Sequence, residues 1–142
     1  MEELQKMPEQ LDAIIATLAK QGVTTFYTGG ALGFDTLAAE AVLRARQKNP
    51  ELRLILAIPC PDQTKGWRKA EKARYDTIRR QADAEYLLAD AYDSGCMMRR
   101  NRFMVDRSAH CVFYLVTQRS GTYRTVSYAM EQGLQLHNIL LI

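Results

Sequence analysis

Three short clusters in this 142-residue chain combine residue types and spacing that could do chemistry. In the first, Gly29, Gly30 and Gly33 separate a β-type run, Val23–Tyr27, from an alanine-rich amphipathic stretch opened by Asp35. Glycines at such a turn let a ligand approach the backbone with no Cβ in the way. The free N–H groups and positive dipole end of the following helix suit a phosphate or carboxylate. The second cluster, Arg119-Ser120-Gly121-Thr122, repeats the plan in shorter form, with Ser120 and Thr122 hydroxyls beside free N–H groups around Gly121. The third is Arg100-Asn101 in Cys96–Ser108. An arginine there could meet a phosphate bidentately, and a buried asparagine amide must find partners. Each cluster also has a plainer reading: tight-turn glycines, a helix N-cap at Asp35, another at the second turn, and Asn101 as a polar staple between loops. The glycine spacing is not the G-x-G-x-x-G of dinucleotide folds.

Other chemistries find little support. His110 and His137 are far apart in sequence, which argues against a histidine metal site or a Ser-His-Asp triad. Cys60, Cys96 and Cys111 are odd in number and lack C-x-x-C spacing, so neither a zinc site nor a disulfide framework is expected, and Cys60 and Cys96 read as bystanders. No metal or redox cofactor is implied. No apolar run approaches a membrane span and the N-terminus does not resemble a signal peptide, so a cytoplasmic location is expected. The net charge of +3 is unevenly spread. Lys65, Arg68, Lys69, Lys72, Arg74, Arg79 and Arg80 crowd one segment, read as a solvated face, and Arg99, Arg100, Arg102 and Arg107 crowd another, for which a positive rim around an anionic ligand stays open.

The elements that would position these residues alternate. Periodicity predicts helices over Met7–Gln21, Asp35–Lys48, Trp67–Gln81 and Cys96–Ser108, and one starting at Gly121 or Thr122. Strands are predicted at Val23–Thr28, Leu52–Ile58, Ala84–Ala89, Cys111–Val116 and Leu136–Ile142. The inward residues are expected to include Leu11, Ile14, Ile15 and Leu18; Leu37, Ala38, Ala41, Val42 and Ala45; Trp67, Ala70 and Ile78; and Val126, Ala129, Met130 and Gly133. In Cys96–Ser108 the stripe Met97, Asn101, Met104 and Ser108 is expected to face the sheet, with Arg100 at its edge. Glu40 is placed to pair with Arg44, four residues on. The pattern is one domain of α/β class, a Rossmann-like three-layer sandwich with a mostly parallel sheet. All three clusters then fall at or near the carboxyl ends of strands, where such folds bind ligands.

The runs GGALGFDTLAAEAVL, AIPC…W, GCMMRRNRFMVDRS and SGTYRTVSYA resemble, in that order, the YpsA-like branch of the SLOG superfamily (Smf/DprA–LOG), over about residues 10–142. The resemblance implies a Rossmann-like fold and a nucleotide or nucleotide-derived ligand held by Gly29, Gly30, Gly33, Asp35, Arg100, Asn101, Gly121 and Thr122, with Ser120 added from the turn itself. More distant LOG members are N-glycosidases acting on nucleoside monophosphates, which would give Arg100 a catalytic part. Their glutamate position falls on Thr125 here, and a threonine cannot supply a carboxylate. Asp106 and Glu131 are the nearest acids in sequence. The DprA branch binds single-stranded DNA, a lesser possibility for the Lys65–Arg80 segment. Family members open with a strand before the first helix, and no such strand is evident here. An exposed sheet edge in its place leads to the expectation of a homo-oligomer or of a longer polypeptide.

Overall fold

A computed structural model describes residues 2–115 and 121–139, with side chains from Lys6 onward. The elements are α1 (Glu2–Lys20), β1 (Thr25–Thr28), α2 (Phe34–Lys48), β2 (Arg53–Ile58), α3 (Lys69–Gln81), β3 (Ala84–Leu87), α4 (Cys96–Asp106), β4 (His110–Phe113), α5 (Gly121–Glu131) and β5 (Gln135–Asn138). The fold is α/β and Rossmann-like, every strand pairing parallel to its neighbour.

The sheet is in two pieces. One has the order β1-β2-β3, the other is the pair β4-β5, and no ladder joins β1 to β4. Connections that step from β1 to β2 to β3 put α2 and α3 on one face, by the right-handedness of parallel crossovers. The return from β3 to β4 carries α4 across the other face, where it packs over β2 and against α5. Helix α1 lies on α2. The main core joins Met7, Leu11 and Ile15 of α1, Val42 of α2, Leu54 and Leu56 of β2, Ile78 of α3 and Ile139 after β5. As the near-continuous apolar run LRLILAI predicts, β2 is covered on both faces and its last three residues are buried.

Several boundaries and faces differ from the periodicity reading. Helix α1 starts at Glu2 and runs through Pro8, which costs one backbone bond but does not stop a helix whose apolar stripe continues on both sides. Ala70, Met130 and Gly133 are exposed rather than inward. Ala70 sits in the first turn of α3, Met130 lies on the outer face of α5 and Gly133 follows its end. Glu40 does not pair with Arg44. It takes Arg74 of α3, while Arg44 reaches Asp12 of α1 at 2.8 Å, because neighbouring helices offer closer partners than the same helix does. In α4 the buried positions are Cys96, Arg100 and Val105, so Arg100 is at the centre of the inward face and Met97 is 40% exposed.

Candidate functional site at the carboxyl edge

The β1–α2 turn is shaped by what lies under it. Gly33 is the N-cap of α2 with φ 85°, a left-handed conformation that side chains with a Cβ resist. Gly29 has no positive φ and is constrained differently. A Cβ built on it would lie 2.2 Å from Nη1 of Arg100, so the guanidinium occupies the space a side chain would need. Arg100 is only 5% exposed. Its Nη1 donates to the Gly29 carbonyl at 2.7 Å and to Gln63 Oε1 at 3.4 Å, and its Nε donates to Asn101 Oδ1 at 2.8 Å. These contacts satisfy a charge that would otherwise be costly to bury.

The bonds continue across the molecule. Asn101 Nδ2 donates to Thr125 Oγ1 at 2.8 Å, and the Thr125 hydroxyl donates to the Gly121 carbonyl at 3.1 Å. A relay of side chains thus runs from Gly29, through Arg100, Asn101 and Thr125, to Gly121. Asn101 is a staple between the two glycine turns, and Arg100 is the brace beneath the first.

Asp35 is not the N-cap. It is the second residue of α2, two beyond the Gly33 cap, and its Oδ2 accepts from the Ala31 N–H at 3.2 Å, closing the glycine turn on itself. Burial raises its pKa, against the pull of the Arg100 charge and the Ala31 hydrogen bond. Burial also lowers the pKa of Arg100, with Asp35 opposing that shift. Thr28 Oγ1 donates to the Asp35 carbonyl at 3.2 Å, tying the end of β1 to the start of α2.

A cavity of about 700 Å³ opens at this edge. Thr28, Ala31, Asp35, Arg100, Asn101, Gly121, Thr122 and Thr125 line it. The structure therefore brings Asp35, Arg100, Asn101, Gly121 and Thr122 to one cavity, with Gly29, Gly30 and Gly33 in the turn beside it. Ser120 lies outside the described residues. Sequence reasoning passed over Gln63, buried at 8% exposure and held by Arg100 and Tyr75. Its signal was an uncharged polar residue in one of the strand-to-helix loops on the ligand edge. Asp106 accepts from the Tyr128 hydroxyl at 2.6 Å, and neither it nor Glu131 lines the cavity.

The remaining candidates are accounted for locally. The Cys60 thiol is pushed up to about 11 by burial and by Asp62 and Cys96 beside it, and Cys111 to about 11 by burial. His110 Nδ1 lies 3.1 Å from His137 Nε2, the rings stacked, at the amino end of β4 away from the cavity mouth. Among the described residues no group of three or more His, Cys, Asp or Glu could hold a metal ion. No described helix is long and apolar enough to cross a membrane. In the first basic segment Arg74 and Arg79 are paired with Glu40 and Glu85. In the second, Arg99 is paired with Asp93, while Arg102 and Arg107 lie over aromatic rings.

Comparison with known proteins agrees with the motif order. The family model YpsA, described as the YspA SLOG family, matches residues 1–140. The chain belongs to that family. It is 30% identical over 143 residues to the uncharacterized SPbeta prophage-derived protein YoqJ of Bacillus subtilis, covering 91% of this chain and 83% of the relative. The UPF0398 protein YpsA of Bacillus subtilis is 27% identical over 104 residues, 72% of this chain and 58% of that protein. A UPF0398 protein of Halalkalibacterium halodurans is 29% identical over 96 residues, 66% of this chain and 51% of its own length. The matched region is thus little more than half of these last two YpsA relatives.

Proposed function

We propose that this YpsA-family domain binds a nucleotide or nucleotide-derived ligand at the carboxyl edge of its sheet. The observation that carries the reading is the relay from Gly29 to Gly121, which fixes two glycine-led helix N-termini at one cavity above a buried arginine. Anionic groups would take the N–H groups at the start of α2 and α5, where the helix dipoles favour negative charge. Arg100 contributes its charge from below and holds the first turn in shape. Its Nε and Nη1 donors are engaged by Asn101, Gly29 and Gln63, and Nη2 lies 3.8 Å from Met97 Sδ, so it acts mainly as a brace. Calorimetry with AMP and adenosine tests this. The phosphate should add about tenfold or more to affinity, equivalent to about 1.4 kcal/mol. Arg100→Ala should weaken AMP binding more than Arg68→Ala, and equal losses would mean that general charge alone attracts the ligand.

A second reading, an N-glycosidase, draws support from Asp35. It is the one acid among the described residues lining the cavity, and burial favours its protonated form. Water would add at the sugar carbon as the carbon–nitrogen bond breaks, with Asp35 giving its proton to the departing base and the proton lost by the added water returning to the Asp35 carboxylate. Incubation with nucleoside monophosphates and chromatography for free base decides it. Release abolished by Asp35→Asn, with binding retained, supports the enzyme, and no release removes it.

A further inference from the structure

The other arginines of the second basic segment do not gather at the carboxyl-edge cavity with Arg100. They line a separate open groove of about 560 Å³ along the outer face of α4, walled by Arg99, Arg102, Phe103, Asp106 and Arg107 and, from α5, by Arg124. All four of these arginines are exposed. Arg99 is paired with Asp93 at 2.9 Å, and among the described residues Arg102, Arg107 and Arg124 have no acid within ion-pair distance. The carboxylate in their midst is engaged elsewhere, since Asp106 Oδ1 accepts from the Tyr128 hydroxyl at 2.6 Å. Two of the guanidiniums are held in place by rings. Arg107 Cζ lies 3.6 Å from the centre of the Phe103 ring, with Nη1 donating to the Phe103 carbonyl at 3.1 Å, and Arg102 Cζ lies 5.2 Å from the centre of the Tyr128 ring. A guanidinium laid on a ring keeps edge N–H groups for an outside acceptor and has less freedom to lose on meeting one.

We propose that this groove docks an acidic segment of a partner polypeptide, whose carboxylates take the free edges of Arg102, Arg107 and Arg124. Four arginines against one acid leave a local excess of positive charge that an anionic guest relieves. The spread of the cations sets the kind of guest. At 1.5 Å of rise per residue, Arg99, Arg102 and Arg107 extend over about 12 Å of α4, so a single carboxylate or phosphate reaches only part of the row. A run of several acids reaches all of it. The rings favour a peptide over single-stranded nucleic acid. A single strand gains by stacking its bases on aromatic faces, and here Phe103 and Tyr128 give theirs to arginines. What the surroundings offer besides charge is Tyr86, 47% exposed, with its ring centre 5.4 Å from that of Phe103, which suits an apolar side chain set between acids. Apart from Arg107, the groove residues do not line the carboxyl-edge cavity, so the docking proposal does not depend on the nucleotide.

The test uses the whole protein and a fluorescein-labelled peptide, Glu-Glu-Leu-Glu-Glu-Leu-Glu-Glu, at about 0.15 M salt, where distant surface charges are screened. Anisotropy should show saturable one-to-one binding. Arg102→Gln together with Arg107→Gln should weaken it by about tenfold or more. Lys69→Gln together with Lys72→Gln removes the same charge from the other basic segment and should change it by less than about twofold. Asp106→Asn removes the groove's own carboxylate and should tighten binding by about twofold or more, a reading that needs no arginine variant to fold. Absence of binding overturns the proposal, as do equal losses from the arginine and lysine pairs, or an affinity that Asp106→Asn leaves unchanged. A labelled thymidine oligonucleotide of equal charge runs beside the peptide. If it binds more tightly and depends on the same arginines, the groove belongs to nucleic acid and the peptide proposal is overturned.

Discussion

Replacing Gly29 by alanine isolates the contact on which the site is built. The backbone there can accept a side chain, so the cost arises from the guanidinium of Arg100, whose Nη1, Cζ and Nε lie 2.2, 2.5 and 2.8 Å from the new Cβ. The side chain must leave its seat, giving up the bonds to the Gly29 carbonyl and to Asn101. Hydrogen bonds to charged groups contribute about 1.5–3 kcal/mol each. Lower unfolded-state entropy returns about 0.4–1 kcal/mol for Gly→Ala. The net destabilisation should be about 2–6 kcal/mol, or a fall of about 1–3 M in urea midpoint at a slope of about 2 kcal/mol/M. A double-mutant cycle supplies the refutation. With Arg100→Ala already present the space is vacant, and adding Gly29→Ala should cost less than about 0.5 kcal/mol. Gly33→Ala is the contrast: its φ is 85° with nothing within 4 Å, so the strain of about 1–2 kcal/mol should be the same with or without Arg100. If the losses at Gly29 and Arg100 simply add, the brace argument is wrong.

Asp35, with its pKa raised in the folded state, contributes stability that is fully present below the unfolded value near 3.8 and lost as pH rises through the folded value. Asp35→Asn should remove that slope from a series of urea titrations across pH. Asp83 behaves oppositely. Burial pushes its pKa up, but the Leu54 N–H at 2.8 Å and Arg46 at 2.7 Å outweigh this and lower it, so its contribution is lost as pH falls through a folded value below 3.8. Asp83→Ala should cost about 1–2 kcal/mol by the same denaturation assay. Cys60, buried and pushed up to about 11, should resist iodoacetamide at neutral pH in native protein and react once it is unfolded, and rapid native labelling would contradict its burial.

The strand-to-helix alternation was legible because the longer elements carry their own period and most turns a glycine or proline, although the α3–β3 and α4–β4 turns have neither. The grouping of the glycine turns at one edge followed, since parallel strands put their carboxyl ends together. The inward face of α4 was not legible. Hydropathy places an arginine at an edge, whereas Arg100 is buried because a backbone carbonyl and a glutamine from two separate loops, and the amide of the next residue of α4, converge on it. Asp35, read as the cap, lies two positions beyond it for a related reason: the glycine at φ 85° takes the cap and frees the carboxylate to close the turn. The division of the sheet lies in pairing between strands far apart in sequence, which no local pattern records.

Trp67, the chain's single tryptophan, gives the site an optical readout. Its ring meets Tyr75 edge-on, with centroids 5.3 Å apart, and Tyr75 in turn lies 3.0 Å from where a Cβ on Gly30 would stand. Its emission therefore comes from a single place, two side chains away from the first glycine turn. A guest that presses on that turn should shift the tyrosine and change the colour or yield of this fluorescence. Occupancy at the carboxyl edge can thus be followed in the unlabelled protein, and Tyr75→Phe, which keeps the ring and removes the hydroxyl held by Gln63, should preserve most of the signal.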